Sequence, residues 1–148
     1  MNFEYFIYNS IPNAHVLNGI LKLHKDIFGT SEDLIIKMSS KPHLLVITTM
    51  DDNQLIGYKI GYAVDSYKFY SWLGGVDPNY RKHGIASELM EKQHRYLKDN
   101  GYEVVQTKTM NKWRSMLVLN IKNGFDVIDT YTDEKGLHKI VLEKSLLN

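Results

Sequence analysis

The sequence predicts an α/β domain built on a mixed sheet of about seven strands flanked by about four helices. Three observations predict it. A strand-like run, Phe69 to Val76, is followed by a glycine-bearing loop, an amphipathic helix and a second strand-like run, Tyr102 to Thr109. Strands joined through a helix lie parallel, with a right-handed crossover. Between Ile56 and Val64, large apolar residues alternate with small or polar ones at the two-residue period of a strand. The chain closes with two β-rich runs, Phe125–Thr132 and Leu137–Glu143, separated by Asp133-Glu134-Lys135-Gly136. That pattern reads as an antiparallel hairpin.

The remaining elements follow in order. Phe3 to Ile7 is aromatic and apolar and reads as a first strand, broken by Pro12-Asn13. Val16, Leu17, Ile20, Leu21, His24, Ile27 and Phe28 then recur at helical spacing, with Asn13 as N-cap and Gly29 as stop. Thr30-x-x-Asp33 opens a second short helix carrying Leu34, Ile35 and Met38. His43 to Met50 is β-rich and turns at Asp51-Asp52-Asn53 into the alternating strand. There Ile56, Tyr58, Ile60, Tyr62 and Val64 share one expected face, and Gly57 and Gly61 fall on the other. Two glycines on one strand face imply that something approaches closely. Leu73-Gly74-Gly75 reads as a bulge. The helix after Gly84 has an apolar stripe of Ile85, Leu89, Tyr96 and Leu97, and the favourable ion pairs Glu88–Lys92 and Glu91–Arg95. Asn111 is expected to cap a last helix running through Leu119 and Asn120, stopped by Asn123-Gly124. The order is β-α-α-β-β-β-α-β-α-β-β.

Composition narrows the function classes. The 148 residues fit one domain with a sizeable core. The net charge of +1 argues against nucleic acid or a membrane surface as partner. The absence of cysteine removes disulfides, thiolate metal sites and a cysteine nucleophile. MNFEYFIYNS has neither the basic start nor the apolar run of a signal peptide, so a cytoplasmic protein is expected.

The stretch from Ser71 to Asn100 carries the chemistry. A strand leads through Asp77-Pro78-Asn79 turn residues into Arg81-Lys82-His83-Gly84-Ile85-Ala86-Ser87, and a helix begins at once. A basic loop ahead of a helix N-terminus is a recipe for binding an anion. First-turn N–H groups point outward unsatisfied, and the helix dipole favours negative charge there. Gly84 and Ala86 let a phosphate come close to the backbone.

The same residues resemble a known family. Val76-Asp77-Pro78-x-Tyr80-Arg81-x-x-Gly84-Ile85-Ala86 looks like the acyl-CoA-binding motif Arg/Gln-x-x-Gly-x-Gly/Ala of the GNAT superfamily of N-acetyltransferases. A second segment, Asn111 followed by Leu119-x-x-Lys122-x-Gly124-Phe125, is similar to the family's N…LYxKxGF region. The element order matches the GNAT, or acyl-CoA N-acyltransferase, fold over nearly the whole chain. The resemblance implies acetyl transfer from acetyl-CoA to a primary amine by direct attack in a ternary complex. No metal is implied. The acetyl-CoA site would use Val76, Arg81, Lys82, His83, Gly84, Ile85, Ala86, Ser87 and Asn111. The pantetheine arm and thioester oxygen would meet backbone N–H groups near Gly74-Gly75 and Val76, between two parallel strands that splay apart. Asn111 would serve the pantetheine arm or the acceptor, in competition with its role as N-cap. Such folds often dimerise, and a homodimer is open.

Two departures leave the catalytic residues unassigned. The family's frequent tyrosine in LYxKxGF, the thiolate's proton donor, is Asn120 here, and an amide gives up no proton. No acidic residue lies between Asp65 and Asp77, where relatives carry a basic carboxylate. Tyr70, Ser71, Asp26, Glu32, Asp33, His24, His43, His138 and a water chain all remain candidates for the base. A site without a strong base suits an α-amino group, with its pKa near 8, better than a lysine amine near 10.4. Among Tyr67, Phe69, Tyr70 and Trp72, some are candidates to hold the acceptor and others to pack the core. A non-catalytic acyl-CoA sensor of the same fold is the alternative, and it predicts binding without turnover. A protein-interaction domain reusing the fold predicts no CoA affinity.

Overall fold

Seven strands form a single sheet in a computed structural model of the chain, which describes residues 2–147. The elements are β1 (Glu4–Tyr8), α1 (Ala14–Phe28), α2 (Leu34–Ser39), β2 (Leu45–Asp51), β3 (Gln54–Ala63), β4 (Lys68–Val76), α3 (Ile85–Asp99), β5 (Val104–Thr109), α4 (Arg114–Lys122), β6 (Asp126–Thr132) and β7 (His138–Ser145), with a short 3-10 turn at Pro78–Tyr80. The strand order is β1-β2-β3-β4-β5-β7-β6. β4 and β5 pair in parallel, and the other neighbouring strands pair antiparallel. The expected order of elements and the mixed sheet are therefore what forms. Among the described residues, no helix is long and apolar enough to cross a membrane.

Each sheet face has its own core. On one face, α3 lays Ile85, Leu89, Met90 and Leu97 over Leu45, Ile47, Ile56, Phe69, Val105 and Leu142, with Phe125 after α4 joining them. On the other, α1 and α2 bury Val16, Ile20, Leu23, Leu34 and Met38 against Val46, Leu55, Tyr58 and Ile60. Burying one such side chain is worth about 1.5–3 kcal/mol, so each helix is held mainly by its apolar stripe. Gly57 and Gly61 mark the expected close approaches. A Cβ on Gly57 would stand 3.1 Å from Ile85, and one on Gly61 would stand 2.4 Å from the Phe69 ring.

The caps of α1 are those read from the sequence. Val16 N–H donates to Asn13 Oδ1 at 3.1 Å, and Gly29 closes the helix with φ of 90°. Elsewhere the structure corrects the expectations. β2 starts at Leu45 rather than His43, whose φ is +49°. α2 starts after Asp33 in a left-handed conformation, with no side-chain cap among the described residues. α4 begins at Arg114 with Trp113 in the N-cap position, so Asn111 sits in the preceding turn and does not cap. β3 carries a bulge that was not expected, and the bulge expected on β4 lies at a neighbouring residue. On β3 the register jumps from Thr49↔Gly57 to Met50↔Leu55, which leaves Ile56 unpaired and turns it into the α3-side core. Ile56 therefore does not share a face with Tyr58 and Ile60. On β4 the register jumps from Gly61↔Ser71 to Ile60↔Leu73, so the bulged residue is Trp72, not Gly74 or Gly75. A bulge inserts one residue and flips the alternation beyond it. Trp72 and Leu73 consequently both pack on the α1 side.

Candidate functional site

The sheet opens between its two parallel strands. Pairing of β4 with β5 runs from Lys68↔Val104 to Ser71↔Thr107 and stops, although both strands continue. Thr107 Oγ1 donates to the Ser71 carbonyl at 3.0 Å and closes the base of the gap. Beyond it, β4 stays paired only with β3. Asp77 N–H donates to the Ile56 carbonyl at 2.8 Å, which makes Val76↔Gly57 a non-hydrogen-bonded pair. By antiparallel alternation the N–H groups of Val76 and Gly74 then point away from β3, into the gap that β5 has vacated. Backbone donors held by a strand need no reorganisation to meet a carbonyl oxygen or the oxyanion it becomes.

The gap leads to the start of α3. Asp77 Oδ1 accepts from Asn79 N–H at 2.9 Å and folds the chain through the 3-10 turn. Tyr80 OH donates to Asp51 Oδ2 at 2.6 Å, pinning that turn to the β2–β3 hairpin. Lys82 and Gly84 both adopt left-handed φ, 70° and 75°. Such a conformation costs a non-glycine residue about 1 kcal/mol, which the turn imposes on Lys82. Gly84 is the N-cap of α3 and supplies no side-chain cap, and the first intrahelical bond runs from Glu88 N–H to the Gly84 carbonyl. The N–H groups of Ile85, Ala86 and Ser87 are thus left without an intrahelical acceptor. A Cβ placed on Gly84 would meet nothing within 4 Å, so the space above the turn is open.

The structure brings most of the predicted acyl-CoA residues together. Val76, Arg81, Lys82, Gly84, Ile85, Ala86 and Ser87 line one cleft of about 200 Å³ with Tyr80. His83 lies outside that lining, its ring 6.2 Å from Phe3. Asn111 is exposed in the turn after β5 and enters no described hydrogen bond. A larger groove of about 560 Å³ continues from Ser87 along α3, past His94 and Arg95, to Lys144 and Leu147. Its charges are engaged among themselves, Arg95 with Glu91 at 2.8 Å and Lys144 Nζ with His94 Nδ1 at 3.1 Å.

Buried titratable groups lie where α3 meets the sheet, His94 on the helix and Lys59 on β3. His94 is 7% exposed. Desolvation, then the nearby Lys144 and Lys59, pulls its pKa down to about 3, so the ring is neutral. Lys59 lies in register with Gly74 on the same face, with its Cγ 3.8 Å from where a Gly74 Cβ would stand. The residue keeps some exposure while its amine is enclosed, and desolvation pulls the amine down to about 8.

The candidates for a base scatter. Ser71 is buried, and Asp26, Glu32, Asp33 and His43 are exposed. His138 belongs to the β6–β7 hairpin, 3.4 Å from Thr132 Oγ1. Tyr70 packs on Tyr62, and burial raises its hydroxyl to about 12. Of the aromatic cluster, Phe69 belongs to the α3-side core and Tyr67 is exposed in a turn. Tyr70 and Trp72 instead join Tyr62 on the α1 side, where Lys41 lies 4.7 Å from the Tyr62 centroid and 5.0 Å from Trp72. His24 comes close to the Gly74–Val76 stretch of β4 on the α1 side, through Tyr58, a residue that the sequence offered only as part of a strand face. Its Nδ1 lies 2.6 Å from Tyr58 OH, and that hydroxyl is 3.4 Å from where a Gly75 Cβ would stand. Among the described residues no cluster of His, Asp and Glu is arranged to hold a metal ion.

Comparisons with known proteins agree with this architecture. No curated protein matches the sequence. Solved structures of similar fold include the ribosomal-protein-S18-alanine N-acetyltransferase from Escherichia coli, with a TM-score of 0.80 at 14% identity over 98% of this chain and 96% of that one. A GNAT family acetyltransferase from Elizabethkingia anophelis with acetyl-CoA bound has a TM-score of 0.75 at 16% identity, over 97% and 98% of the two chains. An aminoglycoside 6'-N-acetyltransferase complexed with coenzyme A has 0.78 at 12%, also over 97% and 98%. At these identities the likeness speaks for the fold. The model of the Acetyltransferase (GNAT) family matches residues 17–114, which is more than half of the sequence and includes both β4 and the loop into α3, and the chain belongs to that family.

Proposed function

We propose that this protein is an N-acetyltransferase that moves the acetyl group of acetyl-CoA to a primary amine by direct transfer in a ternary complex. The observation that carries this reading is the continuity of the gap with the α3 N-terminus. N–H donors of Gly74 and Val76 face the space where β4 and β5 separate, and the same strand runs on into the uncapped first turn at Gly84. A long ligand with a thioester at one end and a pyrophosphate in its middle matches those two donor sets in that order. Arg81 and Lys82 add exposed positive charge beside the pyrophosphate, and Ile85, Ala86 and Ser87 offer their free N–H groups. Val76 N–H would hold the thioester oxygen and strengthen its hold as negative charge develops.

Asn111, released from helix capping, is free to donate to the pantetheine arm. With Asn120 at the tyrosine position, the thiolate leaves unassisted by a phenol. A thiol pKa near 8.5 makes that tolerable near neutrality. The same Asn120, 3% exposed, favours a second reading, an acyl-CoA sensor without turnover.

Calorimetric titration with acetyl-CoA tests the reading, on wild type and on Gly84→Glu. The substitution aims a carboxylate into the open space above the turn. Micromolar binding that weakens on the order of 100-fold in the variant is expected, from charge placed against charge at the helix start. No binding by the wild type would sink the proposal. An amine panel then separates the two readings, because the sensor binds and turns nothing over.

A further inference from the structure

We infer that Tyr58 and His24 form the proton relay that takes the proton from the attacking amine. This inference rests on the N-acetyltransferase reading and assigns the base that the sequence leaves open. Tyr58 lies on β3, fully buried, directly opposite Gly75 in the β3–β4 register. Its side chain projects to the α1 side of the sheet, and its hydroxyl stands 3.4 Å from the position of a Gly75 Cβ. Gly75 lies between Gly74 and Val76, whose N–H groups face the gap. The hydroxyl is thus beside the stretch of strand that would hold the thioester, on the side opposite α3 and the anion loop. An amine arriving there meets the carbonyl carbon from the face that the CoA arm does not occupy.

His24 completes the relay. Its Nδ1 is 2.6 Å from Tyr58 OH, and in the neutral Nε2–H tautomer that the relay uses it accepts the phenol's hydrogen bond. The imidazole is held by ring contacts to Phe28 at 4.8 Å and Tyr58 at 6.0 Å, and Phe28 leans on Trp113 at 5.8 Å. The C-terminal end of α1 is therefore tied to the turn after β5, across the opening. The charged group that acts on this imidazole from a neighbouring element is basic, Lys37 of α2. Desolvation first, and Lys37 second, lowers its pKa from 6.5, so at neutral pH it is an acceptor. Burial raises the Tyr58 hydroxyl, which keeps it protonated and confines it to passing a proton on.

The step balances. The amine nitrogen attacks the thioester carbonyl carbon and a C–N bond forms. The C–S bond breaks, and the thiolate leaves with its electron pair. The nitrogen's proton passes to Tyr58 Oη as the hydroxyl's own proton passes to His24 Nδ1. The imidazolium then releases a proton from Nε2 to solvent, and the thiolate takes one from water. Tyr58 is the catalytic residue, and His24 is a positioning residue that acts through it.

The test is the pH profile of kcat/KM for the best amine of the panel, in wild type, Tyr58→Phe and His24→Gln. Calorimetric acetyl-CoA affinity serves as the measure of folding. Wild type is expected to lose activity below pH 6.5 as His24 protonates, a limb distinct from the amine's own ionisation near 8 or above. Tyr58→Phe keeps the ring and is expected to lower kcat/KM on the order of 100-fold, with acetyl-CoA affinity unchanged. His24→Gln is expected to abolish the acid limb. His24→Ala, rescued by added imidazole, gives the same answer if either of the other variants fails to fold. An acid limb that persists in His24→Gln, or full activity in Tyr58→Phe, overturns the relay while leaving the acetyltransferase reading intact. Wild-type binding without turnover on any amine overturns both.

Discussion

The two faces of the sheet at the β4–β5 opening are built in opposite ways. On the α3 side, the candidate acyl-CoA residues other than Asn111 are neighbours in sequence, Val76 to Ser87, and one strand–turn–helix unit brings most of them to one cleft. On the α1 side, His24, Ile27, Tyr58 and Gly75 come from a helix and two strands and meet only in the folded chain. A phosphate site can be made locally, because its donors are the backbone groups that any helix start leaves unsatisfied. A proton relay needs two side chains within hydrogen-bond reach at one point in space, and that is a tertiary property. The difference teaches where each kind of residue can be found.

Substitution at Gly75 puts this contrast under most strain. Gly75→Val would press on Ile27, where even a Cβ falls 2.6 Å from Cδ1, and on the Tyr58 ring at 3.2 Å. We expect turnover to fall on the order of 100-fold, about 2.7 kcal/mol in barrier, with acetyl-CoA affinity much less affected. Steady-state kinetics beside calorimetry checks it. Equal losses in both would break the separation between the faces.

A second difference concerns acid. His94, on the sheet-facing side of α3, is held neutral down to about pH 3, whereas an unfolded histidine takes its proton near 6.5. Between those values the unfolded chain binds more protons, so stability falls as pH falls. The slope for one such group is about 1.4 kcal/mol per pH unit. His94→Phe should flatten the dependence of urea-unfolding stability on pH between 6 and 4. An unchanged slope would move the acid sensitivity elsewhere.

Lys59 sharpens the comparison at the alkaline end. Its folded pKa of about 8 lies below the ordinary 10.5. The cost of its enclosed charge is therefore fully present below pH 8 and disappears as pH rises towards 10.5. Lys59→Met should be more stable than wild type at pH 7, by about 1 kcal/mol, and that advantage should shrink between pH 8 and 10. Thermal unfolding at the three pH values measures it. A constant difference would mean that the amine is not desolvated. The mildest change at the site is Gly84→Ala, which meets no atom within 4 Å and pays only for φ of 75°. Its expected cost in stability is about 1–2 kcal/mol, and acetyl-CoA affinity should fall only a few-fold, far less than in Gly84→Glu.

Much of this molecule was legible before folding. Asn13, Gly29, Gly84 and the Glu91–Arg95 pair act through neighbours within about one helical turn, so local chemistry announces them. The bulges at Ile56 and Trp72 were not legible in place. A bulge is a relation between two strands, and only the partner's register says which residue is the extra one. Asn111 misled for the reverse reason. It has good capping chemistry, but the chain after β5 spends two more residues in a turn before α4 begins at Arg114.

The order of elements, the parallel crossover and the basic loop ahead of α3 were therefore legible in the sequence alone. Each is written in short-range periodicity, turn residues and a helix start. Only the tertiary structure decided how far β4 and β5 stay paired, which N–H groups face the gap, and that His24 meets Tyr58 across 34 residues of chain. Those depend on sheet register and on the seating of α1 against β3 and β4, set by packing between segments distant in the chain.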